Sequence, residues 1–212
     1  EDFKVETVNS DAVAKAFLLE NQRVGISYYG QDLPDGVPIA SYIKRFVEEI
    51  LATADDVTAI PKKIITYFRQ SFPDLDTGFH VAGYKKEGKT SVPYVYRCHV
   101  GKDVIERRNI KPDGSLAYGA SWSGQTDILT SIINPVVIKG EKGEDKVVRI
   151  TAPIVWDAMP LQDAIDFSIY AIRTTIDTMR FQARPKTVGG PIDVLLITPD
   201  EAKFLHRKEL HS

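Results

Sequence analysis

The chain reads as an α+β fold in which two antiparallel sheets lie between outer helical layers, a four-layer αββα sandwich. Three observations predict this. The elements come in blocks: strands, two helices, a run of strands, further helices and a closing strand. That order is not the strand–helix alternation of a doubly wound parallel sheet. The strands within a block are joined by short turns, which implies antiparallel pairing.

Taken in order, Val5–Val8 reads as a short strand. Ala14–Leu19 and Arg23–Tyr29 are strand-like runs separated by Glu20-Asn21-Gln22, so they read as a hairpin. The polar segment Gly30–Gly36 is a loop. Ile39, Ile43, Phe46, Val47 and Ile50 recur at helical spacing, as do Ile60, Ile64, Ile65 and Phe68. Asp56 or Thr58 is placed to cap the second helix, with Pro61 in its first turn.

The period then changes to two. Strands are expected at Phe79–Tyr84, Pro93–Val100 and Val104–Ile110, with a charged turn at Lys85–Lys89 and a Lys-Pro-Asp-Gly turn at 111–114. Leu116–Ser121 reads as a last short strand before a helix at about Thr126–Ile133. Lys139–Lys146 is expected as an exposed charged loop. A long helix over Leu161–Phe181 carries Ile165, Ile169, Ile172 and Ile176 on one face, and Pro191–Ile197 closes the chain as a buried strand. There is no internal repeat and no low-complexity segment.

Composition narrows the function classes. At 212 residues with 43% hydrophobic and 26% charged residues, the chain has the makeup of a single globular domain. Twenty-seven Lys and Arg against 29 Asp and Glu leave a net charge of −2, without the basic excess of a nucleic-acid-binding protein. No apolar run reaches the ~20 residues of a membrane helix. The start, Glu1-Asp2-Phe3-Lys4-Val5, lacks a basic segment followed by an apolar one, so no signal peptide is expected. The single cysteine, Cys98, rules out an internal disulfide and fits a reducing cytoplasm. Because the first residue is not Met, the chain is expected to derive from something longer.

Several motifs in order resemble proteasome subunits and the bacterial proteasome-like peptidases, members of the N-terminal-nucleophile hydrolase superfamily. They are Lys15-Ala16-Phe17-Leu18-Leu19 followed by Val24–Gly30, then Tyr42–Val47. Phe79–Lys89 follows, then Leu116–Gly124 with its Ser-Trp-Ser-Gly end, and the long helix before Gly189-Gly190-Pro191-Ile192-Asp193-Val194-Leu195-Leu196-Ile197-Thr198. Together they cover nearly the whole chain.

The resemblance implies a fold and a chemistry. The fold is the αββα sandwich. The activity is a threonine-type peptidase or amidohydrolase, with peptide or amide substrate, no cofactor and assembly into homo-oligomeric rings. In such enzymes a mature N-terminal Thr, Ser or Cys attacks the carbonyl, and its α-amine, of pKa near ~8, takes the proton. A lysine beside the nucleophile lowers its pKa, and a backbone N–H at a small-residue turn stabilises the oxyanion.

Carried over residue by residue, Lys15 matches the lysine, Gly30 the oxyanion turn and Ser123 a helix-start serine near the amine. Each has a plainer reading: Lys15 as a strand-end lysine, Gly30 as a turn glycine with positive φ, and Ser123 as an N-cap. The departures matter as well. Glu1 cannot be the nucleophile, and the strand expected to carry it has no place in the fourteen residues before Lys15. A domain lacking its first strands is therefore expected, or a catalytically silent subunit with an assembly or regulatory role. In the region of the family's late aspartate and serine, Thr187 is the nearest hydroxyl and no acid is present.

Other constellations are weaker. Gly119-Ala120-Ser121-Trp122-Ser123 lacks the final glycine of a nucleophile elbow. His80, His99, His206 and His211 have no ligand spacing for zinc. His80 and Cys98 lie within strand runs and read as structural residues.

Overall fold

In the computed structural model, residues 13–134, 136–140, 143, 145–149 and 152–207 are described. The expected Val5–Val8 strand lies outside them. The chain forms two compact units, a sheet unit of Ala12–Ser121 and Asp193–Ser212 and a helical unit built on Trp122–Ile192.

The sheet unit begins with the expected hairpin. β1 (Ala16–Leu19) and β2 (Val24–Gly30) pair antiparallel, with Phe17 opposite Ile26. The turn closes through the Arg23 N–H on the Glu20 carbonyl. Strands β3 (Thr77–Glu87), β4 (Thr90–His99) and β5 (Val104–Arg107) extend this to a five-stranded antiparallel sheet in sequence order. β3 continues through Lys85, Lys86 and Glu87, which were expected in the turn, because cross-strand pairing with β4 reaches Glu87–Thr90. β5 stops short of Ile110, and Leu116–Ser121 is not a strand: a single bridge, Ile110 to Leu116, is all the pairing described there.

Two helices cover one face of the sheet, α1 (Ile39–Glu49) and α2 (Ile60–Ser71). Their spacing places Ile39, Ile43 and Phe46, and Ile60, Ile64, Ile65 and Phe68, on buried stripes. The sheet answers with every second residue: Val24, Ile26 and Tyr28 of β2, Phe79 and Val81 of β3, and Cys98 of β4. The Phe68 and Phe79 rings meet at 5.1 Å between centroids. The α2 cap differs from expectation. Ala59 is the N-cap and makes no side-chain cap bond. Asp56 instead accepts from the Thr58 N–H and hydroxyl, building a turn ahead of the helix.

The opposite face carries Gly25, Ser27 and Tyr29, with Gly78 and His80 beside them. A hairpin of β8 (Val194–Ile197) and β9 (Ala202–His206) lies against it. β9 was not expected. A Cβ on Gly25 would stand 2.7 Å from both Leu195 Cδ2 and Ile197 Cδ1, so the missing side chain is what admits β8. Arg23 ties the two hairpins by donating to the Asp200 carbonyl at 2.9 Å.

The helical unit contains α3 (Asp127–Ile133) and α4 (Leu161–Met179), which contact each other. It also holds a two-stranded hairpin, β6 (Val136–Lys139) with β7 (Asp145–Arg149), whose strands take both ends of the segment expected as a loop. On α4 the buried residues are Thr175 and Met179. Ile172, from the expected apolar stripe, is 41% exposed. The α+β class therefore holds, with four α-helices among the described residues.

Candidate functional site

Lys15 stands just before β1, at the open end of the β1–β2 hairpin. Its carbonyl accepts the Tyr28 N–H, which continues the ladder and turns the side chain to the face of Phe17 and Tyr28. The Lys15 ammonium lies 4.2 Å from the centre of the Tyr28 ring and 3.5 Å from Asp32 Oδ2. Lys15 is half-exposed, whereas the Asp32 carboxylate is largely buried. Burial, and then the Asp32 charge, push the Tyr28 phenol well above its usual range. Its Oη is buried and has no hydrogen-bond partner among the described residues. The cluster thus sets a cation between an aromatic face and a sheltered carboxylate.

Asp32 was not singled out from sequence. It sits in a polar loop that reads as solvated, and it is buried because the Ile39 N–H bonds back to its carbonyl and folds the loop under α1. No local pattern announces that contact.

Gly30 ends β2 at the same end of the hairpin. Its φ is +93°, and a Cβ there would lie 2.2 Å from the Asp76 carbonyl oxygen. The next residue donates its N–H to that same oxygen at 2.9 Å, and the Thr77 hydroxyl donates to the Gln31 carbonyl. Backbone conformation and close approach both require glycine here. The fold brings Lys15 and Gly30 to one end of one hairpin.

Ser123 belongs to the helical unit. It is half-buried in the segment leading into α3, and it is not that helix's N-cap: Thr126 holds the position, without a side-chain cap bond. The segment is held from several sides. The Trp122 indole N–H donates to Thr130 Oγ1 at 3.3 Å. Gln125 donates to Asp127 Oδ1 and accepts from the Thr187 hydroxyl at 3.2 Å. Arg184 Nη1 donates to Asp127 Oδ2 at 2.8 Å. These bonds from Gln125 and Arg184 hold the Asp127 carboxyl below its usual range. Thr187 therefore meets the Ser123 segment through Gln125, a contact across 62 residues that sequence spacing does not reveal.

A second polar group lies on the sheet face away from α1 and α2. The Tyr29 ring packs 5.6 Å from His80 and 6.4 Å from His99. Burial, with Arg97 and Arg108 nearby, lowers the His80 pKa to about 4 and keeps the ring neutral at pH 7. His99 Nε2 faces Asp76 Oδ1 at 3.1 Å, while its Nδ1 accepts from the Lys102 N–H. Cys98 is fully buried in the core, and burial pushes its thiol up to about 12. Among the described residues no three His, Cys, Asp or Glu side chains converge as a metal site requires. A groove of about 390 Å³ beside α2, lined by Ile50, Thr58, Lys62, Lys63, Tyr67 and Gln70, involves none of the expected site residues. Among the described residues no helix is long and apolar enough to cross a membrane. No family model and no curated protein matches the chain.

Proposed function

We propose that the chain is a proteasome-like N-terminal-nucleophile hydrolase subunit, a threonine-type peptidase or amidohydrolase with the four-layer αββα architecture. The reading rests first on the order of sequence motifs. The observation that supports it best is that Lys15 and Gly30 both lie at the open end of the β1–β2 hairpin, with Asp32 against the ammonium.

The roles follow from chemistry. An upstream Thr, Ser or Cys, freed as the mature N-terminus, attacks the amide carbonyl, and its own amine takes the proton. Lys15 keeps the nucleophile's environment cationic. The Gly30 N–H faces the oxygen on which charge develops. Peptide or amide bonds are the substrate class.

A catalytically silent subunit serving assembly is the second reading, and α4 favours it. Leu161 and Ile172, eleven residues apart and so on one side of the helix, are 56% and 41% exposed, apolar side chains suited to a second copy of the chain in a homo-oligomer.

The test is a panel of fluorogenic peptides and acyl-amides, given to the self-processed full gene product and to its Lys15→Ala form. The peptidase reading expects turnover by the first and a loss of at least ~100-fold in the second, with unchanged circular dichroism. Equal rates would remove Lys15 from the site. No turnover by either form, together with a ring by light scattering, would favour the silent subunit.

A further inference from the structure

In the helical unit, Arg184 makes a single described hydrogen bond, from Nη1 to Asp127 Oδ2 at 2.8 Å. Its Nε and Nη2 are shielded from solvent and have no hydrogen-bond partner among the described residues. Those two nitrogens share one edge of the planar guanidinium, and their N–H bonds run parallel. That edge fits the two oxygens of a carboxylate. Buried donors are almost always paired in folded proteins, so an empty donor edge asks for an acceptor.

We propose that the Nε–Nη2 edge of Arg184 is a binding fork for a carboxylate ligand, beside the Gln125–Asp127–Thr187 cluster. The assignment does not depend on the nucleophile reading. The Arg184 side chain is 28% exposed, so the fork lies just beneath the surface and outside the core. Because Nε and Nη2 are shielded, ligand entry requires the guanidinium to turn about its Asp127 contact.

Local charge selects the ligand class. Asp127 already balances the arginine, so the cluster offers hydrogen bonds with little net positive charge. A phosphate dianion meets repulsion from Asp127 across the guanidinium. A planar monoanion meets less repulsion and matches both donors. The same carboxylate chemistry can come from a peptide C-terminus or from a small free acid.

The test follows the Arg184 Nε–H signal by NMR in the full chain. It is titrated with acetate, with acetyl-Ala-Ala carrying a free C-terminus, with the same peptide amidated, and with inorganic phosphate. Saturable shifts are expected for acetate, for the free-acid peptide or for both, with none for the amide. A response to acetate without the peptide assigns a small-acid site; a response to the peptide without acetate assigns a C-terminus site.

Two variants accompany the titration. Arg184→Lys keeps the charge and loses the fork; the ligand-induced shifts at the Gln125 and Thr187 amides are expected to vanish while the remaining spectrum is unchanged. Asp127→Asn removes the opposing charge and is expected to tighten carboxylate binding several-fold. If Arg184→Lys unfolds the protein, the Asp127→Asn titration carries the decision. The proposal is overturned by the absence of saturation with every carboxylate, by phosphate binding in preference, by equal binding of the amidated peptide, or by unaltered binding in Arg184→Lys.

Discussion

On the sheet face turned away from α1 and α2, His80 is enclosed by Tyr29 and the nearby Arg97 and Arg108 guanidinium groups. Burial comes first in lowering its pKa to about 4, and the two arginines add to it. An unfolded histidine takes its proton near ~6.5. Between those values the unfolded chain holds more protons than the folded one, so acid draws the equilibrium toward unfolding. The stabilisation is complete above ~6.5 and is lost as pH falls toward 4. Urea melts at pH 7.5 and pH 5 are expected to show the wild type losing about 1–2 kcal/mol more than His80→Gln over that interval. An equal loss in both proteins would show that His80 does not control the acid limb. The alternation of His80 with apolar neighbours in β3 already marked it as structural. Its arginine neighbours come from β4 and from the turn after β5, and no local pattern in β3 names them.

Among the elements, the contact between β2 and β8 is the most exacting. Gly25 opposes Ala82 in the sheet and leaves room for Leu195 and Ile197. Gly25→Val is expected to cost about 1–3 kcal/mol, since the added methyls meet side chains already packed against the strand. In the double variant with Ile197→Ala, the total loss should fall short of the sum by at least ~0.5 kcal/mol. Strict additivity in denaturant melts would mean that β8 does not press on Gly25. The strand itself was legible from Pro191–Ile197, as were β2, α1 and α2, because each carries its own periodicity. Its partner β9 was not, since Ala202–His206 is short and its pattern is interrupted by Lys203. The β6–β7 hairpin was missed for a similar reason: the charges around it read as a solvated loop.

Across the whole molecule the apolar burial is unevenly shared. Phe46, Phe68, Phe79 and the isoleucines of α1 and α2 are fully or almost fully buried. In the helical unit the buried hydrophobic residues described are Ile128, Leu129 and Met179. Stability should follow that distribution. Phe68→Ala is expected to cost about 3–5 kcal/mol through the cavity it leaves, whereas Ile172→Ala, at a position 41% exposed, should cost less than about 1 kcal/mol. Hydrogen exchange should show the slowest amides in β2, β3 and α2. Comparable losses for the two variants would refute this partition.

What the sequence by itself determined was whatever a short window of chain can encode. The β1–β2 turn, the stripes of α1 and α2 and the alternation of β3 and β4 depend on neighbours a few residues away, as does the α+β class that their order implies. Tertiary structure decided which groups meet. Asp32 reaches Lys15 across 17 residues, and Arg184 reaches Asp127 across 57. Asp32 sits in a segment that reads as a loop, and Asp127 at the start of an expected helix, where nothing local names its partner. Such contacts arise only when the loops close, so the electrostatic setting of each candidate residue follows from the fold, beyond the reach of any local pattern.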